Sequence, residues 1–279
     1  MTVGLFIPCY VDQFYPSVGR ATLSVLEKLG FDVVYPPDQT CCGQPLANSG
    51  YARETTAINE LFVRNFSGFD AVVCPSGSCV LHAKEHIATA SVADDEESVE
   101  VYSSPCSMPE EYLRVDAAQP PTAGAGGVLR RDAIWEFSRF VGRHLDERLV
   151  GRELRSYPYT VGVHQSCHGL RGLRLGTASE LMLPASSVVH ELLRRIPGLK
   201  FAELDRVDEC CGFGGTFAVK EEAVSVRMGE DRIADHERGG AQVVTSADMS
   251  CLMHLEGIAR RQGQKLVFKH VAEIFDEVL

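Results

Sequence analysis

The sequence predicts a duplicated α/β protein. Each copy is a mainly parallel sheet flanked by helices, with cysteines at the carboxyl ends of strands. Three observations carry that prediction. A set of four cysteines recurs, short apolar runs alternate with helical patterns in both halves, and each recurring cysteine follows such a run.

The repeat comes first, because self-similarity decides the architecture. The first half has Cys9, then Cys41-Cys42-Gly43, then Cys79, and the second has Cys167, then Cys210-Cys211-Gly212, then Cys251. Equivalent positions are offset by 158, 169 and 172 residues, so the copies differ in loop length.

The elements follow in order. Apolar runs at Val3 to Ile7 and Thr160 to Val163 precede the first cysteines. Val18, Ala21, Val25 and Leu29 share one face of a helix. Val188, Val189, Leu192, Leu193 and Ile196 do so in the second half, where Pro197-Gly198 stops the pattern. Runs at Phe31 to Tyr35 and Phe201 to Leu204 lead to the Cys-Cys-Gly triplets. A further helix and a run at Ala71 to Val73, or Gln242 to Val244, lead to the last cysteine, which opens another helix. The halves close with helices expected over Trp135 to Val141 and His270 to Val278. Open α/β sheets bind ligands beyond the carboxyl ends of their strands, so distant cysteines can converge there.

This organisation places one domain at 1–145 and a second at 159–279. An insertion at 91–128 runs from Asp94-Asp95-Glu96-Glu97 into a Pro, Ala and Gly stretch and reads as a long surface loop. The linker between the halves is charged rather than flexible in composition, so the halves are expected to pack together.

Composition narrows the function. The chain has 279 residues, 45% hydrophobic and 23% charged, as in ordinary globular proteins. A net charge of −11 argues against a nucleic-acid partner, which needs clustered Lys and Arg. No apolar stretch approaches the roughly 18 residues of a membrane span. The N-terminus lacks the basic and apolar regions of a signal peptide, so a cytoplasmic location is expected. Disulfides are uncommon there, and ten cysteines point to metal or redox chemistry first.

Four thiolates per half make the usual ligand set of a 4Fe–4S cluster, giving one or two iron–sulfur clusters per chain. The adjacent pair suits several irons better than one tetrahedral zinc, whose structural sites favour Cys-x-x-Cys, a spacing the repeated cysteines lack. The following glycine lets the backbone approach closely and take positive φ. A zinc site, a disulfide or a structural role remains the competing reading. Cys74 ends a strand five residues before Cys79 and is a weaker candidate ligand; Cys106 reads as incidental. His164 and His168 flank Cys167 as proton carriers, ligands or plain loop lining. Arg171 and Lys220 are cations suited to a substrate carboxylate or to countering cluster charge, or are simply exposed. No flavin or nicotinamide fingerprint is evident, since Gly212-Phe213-Gly214-Gly215 is not a Gly-x-Gly-x-x-Gly turn.

Several strings resemble the cysteine-rich (CCG) domain superfamily, and within it the lactate utilization protein A family. They are Cys41-Cys42-Gly43-Gln44-Pro45, Asn48-Ser49-Gly50-Tyr51 and Pro75-Ser76-Gly77-Ser78-Cys79 in the first half. In the second they are Ser166 to Arg171, Cys210 to Phe217 and Asp248 to Met253. The superfamily includes a cysteine-rich component of heterodisulfide reductase and the glycolate oxidase iron–sulfur subunit. The resemblance implies an iron–sulfur electron-transfer subunit of a system oxidising L-lactate, a 2-hydroxy acid, to pyruvate. It implies as partners a ferredoxin-like iron–sulfur subunit and a third lactate-utilization subunit. The heterodisulfide reductase type ends its motif in Cys-x-x-Cys and carries a noncubane cluster. Here Ser76 and Asp248 stand three residues before Cys79 and Cys251. That departure favours four-thiolate clusters, with Asp248 as a less certain oxygen ligand. Thiol/disulfide redox chemistry using Cys74 is the alternative within the superfamily, and a zinc-binding or structural scaffold the alternative outside it.

Overall fold

A computed structural model describes residues 1–87 and 129–279; the insertion read at 91–128 and Cys106 lie outside the described residues. The first half runs β1 (Thr2–Leu5), α1 (Cys9–Phe14), α2 (Pro16–Lys28), β2 (Asp32–Val34), α3 (Gln44–Asn48), α4 (Thr56–Phe66), β3 (Ala71–Cys74), α5 (Gly77–His82), β4 (Ile134–Glu136) and α6 (Phe137–Arg148). The second runs β5 (Thr160–Val163), α7 (Val188–Leu193), β6 (Lys200–Phe201), α8 (Thr216–Lys220), α9 (Glu222–Arg238), β7 (Val243–Ser246), α10 (Met249–Arg261), β8 (Val267–His270) and α11 (Val271–Val278).

Among the described residues each half forms a four-stranded sheet, in the orders β2-β1-β3-β4 and β6-β5-β7-β8, and all the strand pairings are parallel. The duplicated α/β fold is therefore present, with one strand more per half than the sequence suggests. The helix expected over Trp135 to Val141 begins only at Phe137, because Ile134, Trp135 and Glu136 pair with β3. Glu136 then caps α6, its carboxylate accepting from the N–H groups of Ser138 and Arg139 at 2.9 and 3.1 Å. Likewise His270 ends β8 and caps α11, with Nδ1 accepting from Ala272 N at 3.1 Å. Such short strands, running straight into a capped helix, leave no turn for a sequence reading to catch.

The inner strands are buried on both faces, as continuous apolar runs in parallel sheets require; every residue of β3 and of β7 is buried. One apolar core spans both halves, from Val3, Val25 and Phe140 to Val161, Val244 and Phe275. The closing helix of each half packs on the first long helix of the other: α11 on α2, and α6 on α7. Each pair is pinned by one ion pair, Lys28 with Asp276 at 2.8 Å and Arg195 with Asp146. The segment after α6 bonds onward, with Arg155 N donating to Val278 O and Tyr157 N to Pro197 O, both at 2.8 Å. Among the described residues no helix is long and apolar enough to cross a membrane.

Candidate metal centres

Parallel strands put every strand's carboxyl end on one edge of its sheet, and the repeated cysteines gather there. Cys9 opens α1, Cys41 and Cys42 follow β2, and Cys79 lies in the first turn of α5. Cys167, Cys210, Cys211 and Cys251 hold the matching places. Among the described residues all cysteines are free thiols.

Within each set the sulfurs form a chain. In the first, Cys41 accepts from Cys42 and from Cys9, and Cys42 lies 3.4 Å from Cys79, sulfur to sulfur. In the second, Cys210 accepts from Cys167 and Cys211, and Cys211 meets Cys251. Cys41 and Cys210, the second thiol of each chain, are therefore pulled far below an ordinary thiol, first by those neighbouring S–H donors. Cys9 and Cys42, and likewise Cys167 and Cys211, are pushed up, because each would have to ionise beside a thiolate. Four crowded thiols are a donor set that soft metal ions would complete by displacing their protons.

The glycine of each triplet has φ of 86° at Gly43 and 88° at Gly212, as the triplet's sequence predicts. A Cβ at Gly212 would come within 2.5 Å of Ser225 O, so the turn has no room for a side chain. This turn aims backbone N–H groups at sulfur: Gly43 N at Cys41 (3.3 Å), Gly212 N at Cys210 (3.4 Å) and Phe213 N at Cys211 (3.5 Å). Such donors stabilise thiolates and a negatively charged cluster alike. The residues present thus fit an iron–sulfur group in each half.

The other sequence candidates separate. Cys74 is fully buried at the end of β3, its thiol raised by burial and 3.9 Å from Ser76 O. Asp248 is also fully buried, and both oxygens are engaged. Oδ1 accepts from Tyr10 OH (3.1 Å), Ser250 N (3.2 Å) and Ser250 Oγ (2.8 Å), and Oδ2 accepts from Ser78 N (2.7 Å). Ser76, its counterpart, caps α5 by accepting from Cys79 N at 3.4 Å and also meets Tyr10 OH at 3.0 Å. These two caps form an antiparallel bridge across the halves, so the helices that carry Cys79 and Cys251 start side by side. Arg171 is already paired with Glu180 (2.6 Å) and Asp208 (3.2 Å), and Lys220 is exposed at the end of α8.

The histidines flanking Cys167 part company. His168 is exposed, whereas His164 is 1% exposed and offers a ring nitrogen within 4.8 Å of the Cys211 and Cys251 sulfurs. Burial, then Arg232, lowers its pKa to about 3. The sequence reading passed over His82 and His254. Each lies three residues beyond the last cysteine of its set, on the same helix face, a spacing that could have flagged them. His82 sits against Cys41 and the Cys42 backbone, and His254 Nε2 lies 3.3 Å from Ser225 Oγ, near Cys210.

Comparison with known proteins agrees with the duplication of the domain. The CCG cysteine-rich domain family matches residues 3–84 and again 161–256. Lactate utilization protein A of an Exiguobacterium species is 34% identical over 99% of this chain and 97% of its own. The protein of that name from Halalkalibacterium halodurans is 33% identical over 99% and 97%, and that from Bacillus subtilis 33% over 99% and 99%. Among solved structures, a periplasmic sugar-binding protein from Pseudomonas fluorescens aligns with 96% of this chain and 67% of its own at 14% identity. Its TM-score of 0.24 is too low to bear on the fold. Two copies of the domain, together with relatives matched along their whole length, make the chain a member of the CCG cysteine-rich domain family, of the lactate utilization protein A type.

Proposed function

We propose that this chain is the iron–sulfur electron-transfer subunit of a cytoplasmic, multi-protein system that oxidises L-lactate to pyruvate. One observation carries the reading: two four-thiol sets at matching sheet edges, in a chain whose full-length relatives are named for lactate utilization. Cys9, Cys41, Cys42 and Cys79 would hold one 4Fe–4S cluster, and Cys167, Cys210, Cys211 and Cys251 a second. Such a group supplies one-electron carriage when bound. The protein's own part is to fix the thiolates, to direct the Gly43, Gly212 and Phe213 N–H groups at sulfur, and to keep the two sites close through Tyr10, Ser76 and Asp248.

Lactate oxidation releases two electrons and two protons, and no nucleotide fingerprint lies in the chain. The two-electron chemistry therefore lies partly in a partner, for which a ferredoxin-like subunit and a third lactate-utilization subunit are proposed, and this chain acts as one oxidoreductase subunit of the system. Cys74 and Asp248 are left out of the ligand set: the thiol has no cysteine counterpart in the second half and so stands outside the repeated four, and the carboxylate is saturated with hydrogen bonds.

Anaerobic purification with iron and sulfide assay and EPR tests the reading. About four irons per intact thiol set are expected, with loss of half the iron in Cys42→Ser and in Cys211→Ser. One observation favours a second reading, because His164, Cys211 and Cys251 would also suit zinc. Stoichiometric zinc without iron, and no reducible signal, would establish that one instead.

A further inference from the structure

The two halves have opposite linings behind their thiols. Their registers can be matched from the glycines. A Cβ at Gly43 would meet Thr55 and Ile58, and one at Gly212 would meet Ser225 and Met228. Thr55 thus corresponds to Ser225 and Ile58 to Met228, an offset of 170 residues that pairs Phe62 with Arg232 and Phe66 with His236. Phe6 pairs with His164, since each lies one residue past its strand and donates its N–H to the neighbouring strand, at 3.0 Å to Val73 O and 2.7 Å to Thr245 O.

In the first half these are three phenyl rings in mutual contact, with centroids 4.7 to 5.6 Å apart. They share an apolar cluster with Cys42, Cys74 and Cys79. In the second half the same places hold His164, Arg232 and His236, all at most 1% exposed. Arg232 Nη1 donates to Asp235 at 2.9 Å and to Arg206 O. Its Nε and Nη2, both ring nitrogens of His236 and Nδ1 of His164 find no partner among the described residues. Burial, with the Arg232 charge second, depresses both imidazoles, and Cys210 acts on His164 in the opposite sense.

Resting on the reading that both halves hold clusters, we infer that Arg232, His236 and His164 make the second half the electron-accepting end of the molecule. Reducing a cluster on four thiolates adds negative charge. Phenyl rings cannot solvate that charge, whereas a buried guanidinium and orientable ring N–H groups can, and burial magnifies the difference. The second site therefore has the higher reduction potential. An electron given up at the first thiol set is taken up at the second; one centre is oxidised, one reduced, and no further reactant is needed. Asp248, Tyr10 and Ser76 lie between the two helices concerned.

Single-site proteins decide it. Cys42→Ser leaves the second site loaded and Cys211→Ser the first, each checked by iron content. Redox titration followed by EPR should give the second site the higher potential. At least a tenfold difference in reduction equilibrium is expected, about 59 mV for one electron. In the Cys42→Ser background, Arg232→Met should lower the potential by a similar factor at unchanged iron content, and Arg232→Lys should recover most of it. A second-site potential equal to or below the first, or one unmoved by Arg232→Met in iron-replete protein, overturns the inference. Should Arg232→Met fail to fold, the two single-site potentials still settle the matter. Iron missing from either single-site protein would instead overturn the underlying two-cluster reading, and the inference with it.

Discussion

The first and second halves share a strand order, a thiol chain and a left-handed glycine, yet they differ in nearly everything that surrounds those features. Behind the thiols the first half has phenyl rings where the second has His164, Arg232 and His236. At the seam the first half caps its cysteine helix with Ser76 and the second with Asp248, a charged group. Duplication kept the frame that aims the sulfurs. It left free the groups that set how each site responds to charge, and that is where the copies have been made to differ.

The sharpest way to expose this asymmetry is acid, applied to the metal-free protein. Burial lowers the His236 pKa to about 2 and that of His270 to about 4. A histidine depressed in the folded state contributes stability that is present above its unfolded pKa of about 6.5 and lost as pH falls toward the folded value. At pH 5 each would cost about 2 kcal/mol, at 1.36 kcal/mol per pKa unit. Glu136 works the other way: burial raises it from 4.5 to about 7, outweighing its two backbone hydrogen bonds. Its penalty is present above pH 7 and is relieved as pH falls toward 4.5, a gain of about 2 kcal/mol by pH 5. His82, lowered to about 4, offsets part of that gain in the first half. Hydrogen exchange at pH 7 and pH 5 should therefore show protection lost first in α9 and α11, while β4 and α6 hold. Uniform loss across both halves would break the comparison.

Much of this was legible in the sequence and some was not, for definable reasons. The cysteine repeat and the alternating runs were sufficient for the duplicated parallel fold, and Cys-Cys-Gly for the left-handed turns at Gly43 and Gly212. The fourth strands escaped because Ile134 to Glu136 and Val267 to His270 are short and end on a helix cap: Trp135, Glu136 and His270 read as helix, and Ile134 and Val267 to Lys269 as no element. Arg171 looked like a free cation because its partners, Glu180 and Asp208, are 9 and 37 residues away in sequence. The correspondence of Phe6, Phe62 and Phe66 with His164, Arg232 and His236 was hidden by loop-length drift. The offsets change from 158 to 172 along the chain, and only the packing of Gly43 and Gly212 on the next helix fixes the 170 that applies to α4 and α9.

A smaller effect separates the two caps. Asp248→Ala removes a buried carboxylate that accepts from Tyr10, Ser78 and Ser250, and leaves the Ser78 N–H without its partner. Charge-assisted bonds and a lost cap together should cost about 3 kcal/mol, read as a lower urea midpoint. Ser76→Ala removes a neutral hydroxyl that meets Cys79 N at 3.4 Å, Tyr10 OH at 3.0 Å and Ser78 Oγ at 3.2 Å, and should cost about 1 kcal/mol. Equal losses would mean that the seam does not distinguish the halves.

The finest test lies at Tyr10, whose hydroxyl touches both caps. Its hydroxyl is 3.0 Å from Ser76 Oγ and 3.1 Å from Asp248 Oδ1, and its own helix begins at Cys9. Tyr10→Phe keeps the ring and deletes only that link, so a loss of about 1 kcal/mol is expected. The informative quantity is the coupling in double-mutant cycles. Residues in one hydrogen-bond network couple by about 0.5–3 kcal/mol, whereas distant ones add. Tyr10 with Asp248 should fall in the middle of that range, because the acceptor is charged, and Tyr10 with Ser76 at its lower edge. If both cycles close at zero, the first cysteine helix is not tied to the second half through this hydroxyl. The nearness of the two thiol sets would then rest on the Ser78–Asp248 bond, the Ser76–Asp248 bridge and the packing of α2 with α11 and of α6 with α7.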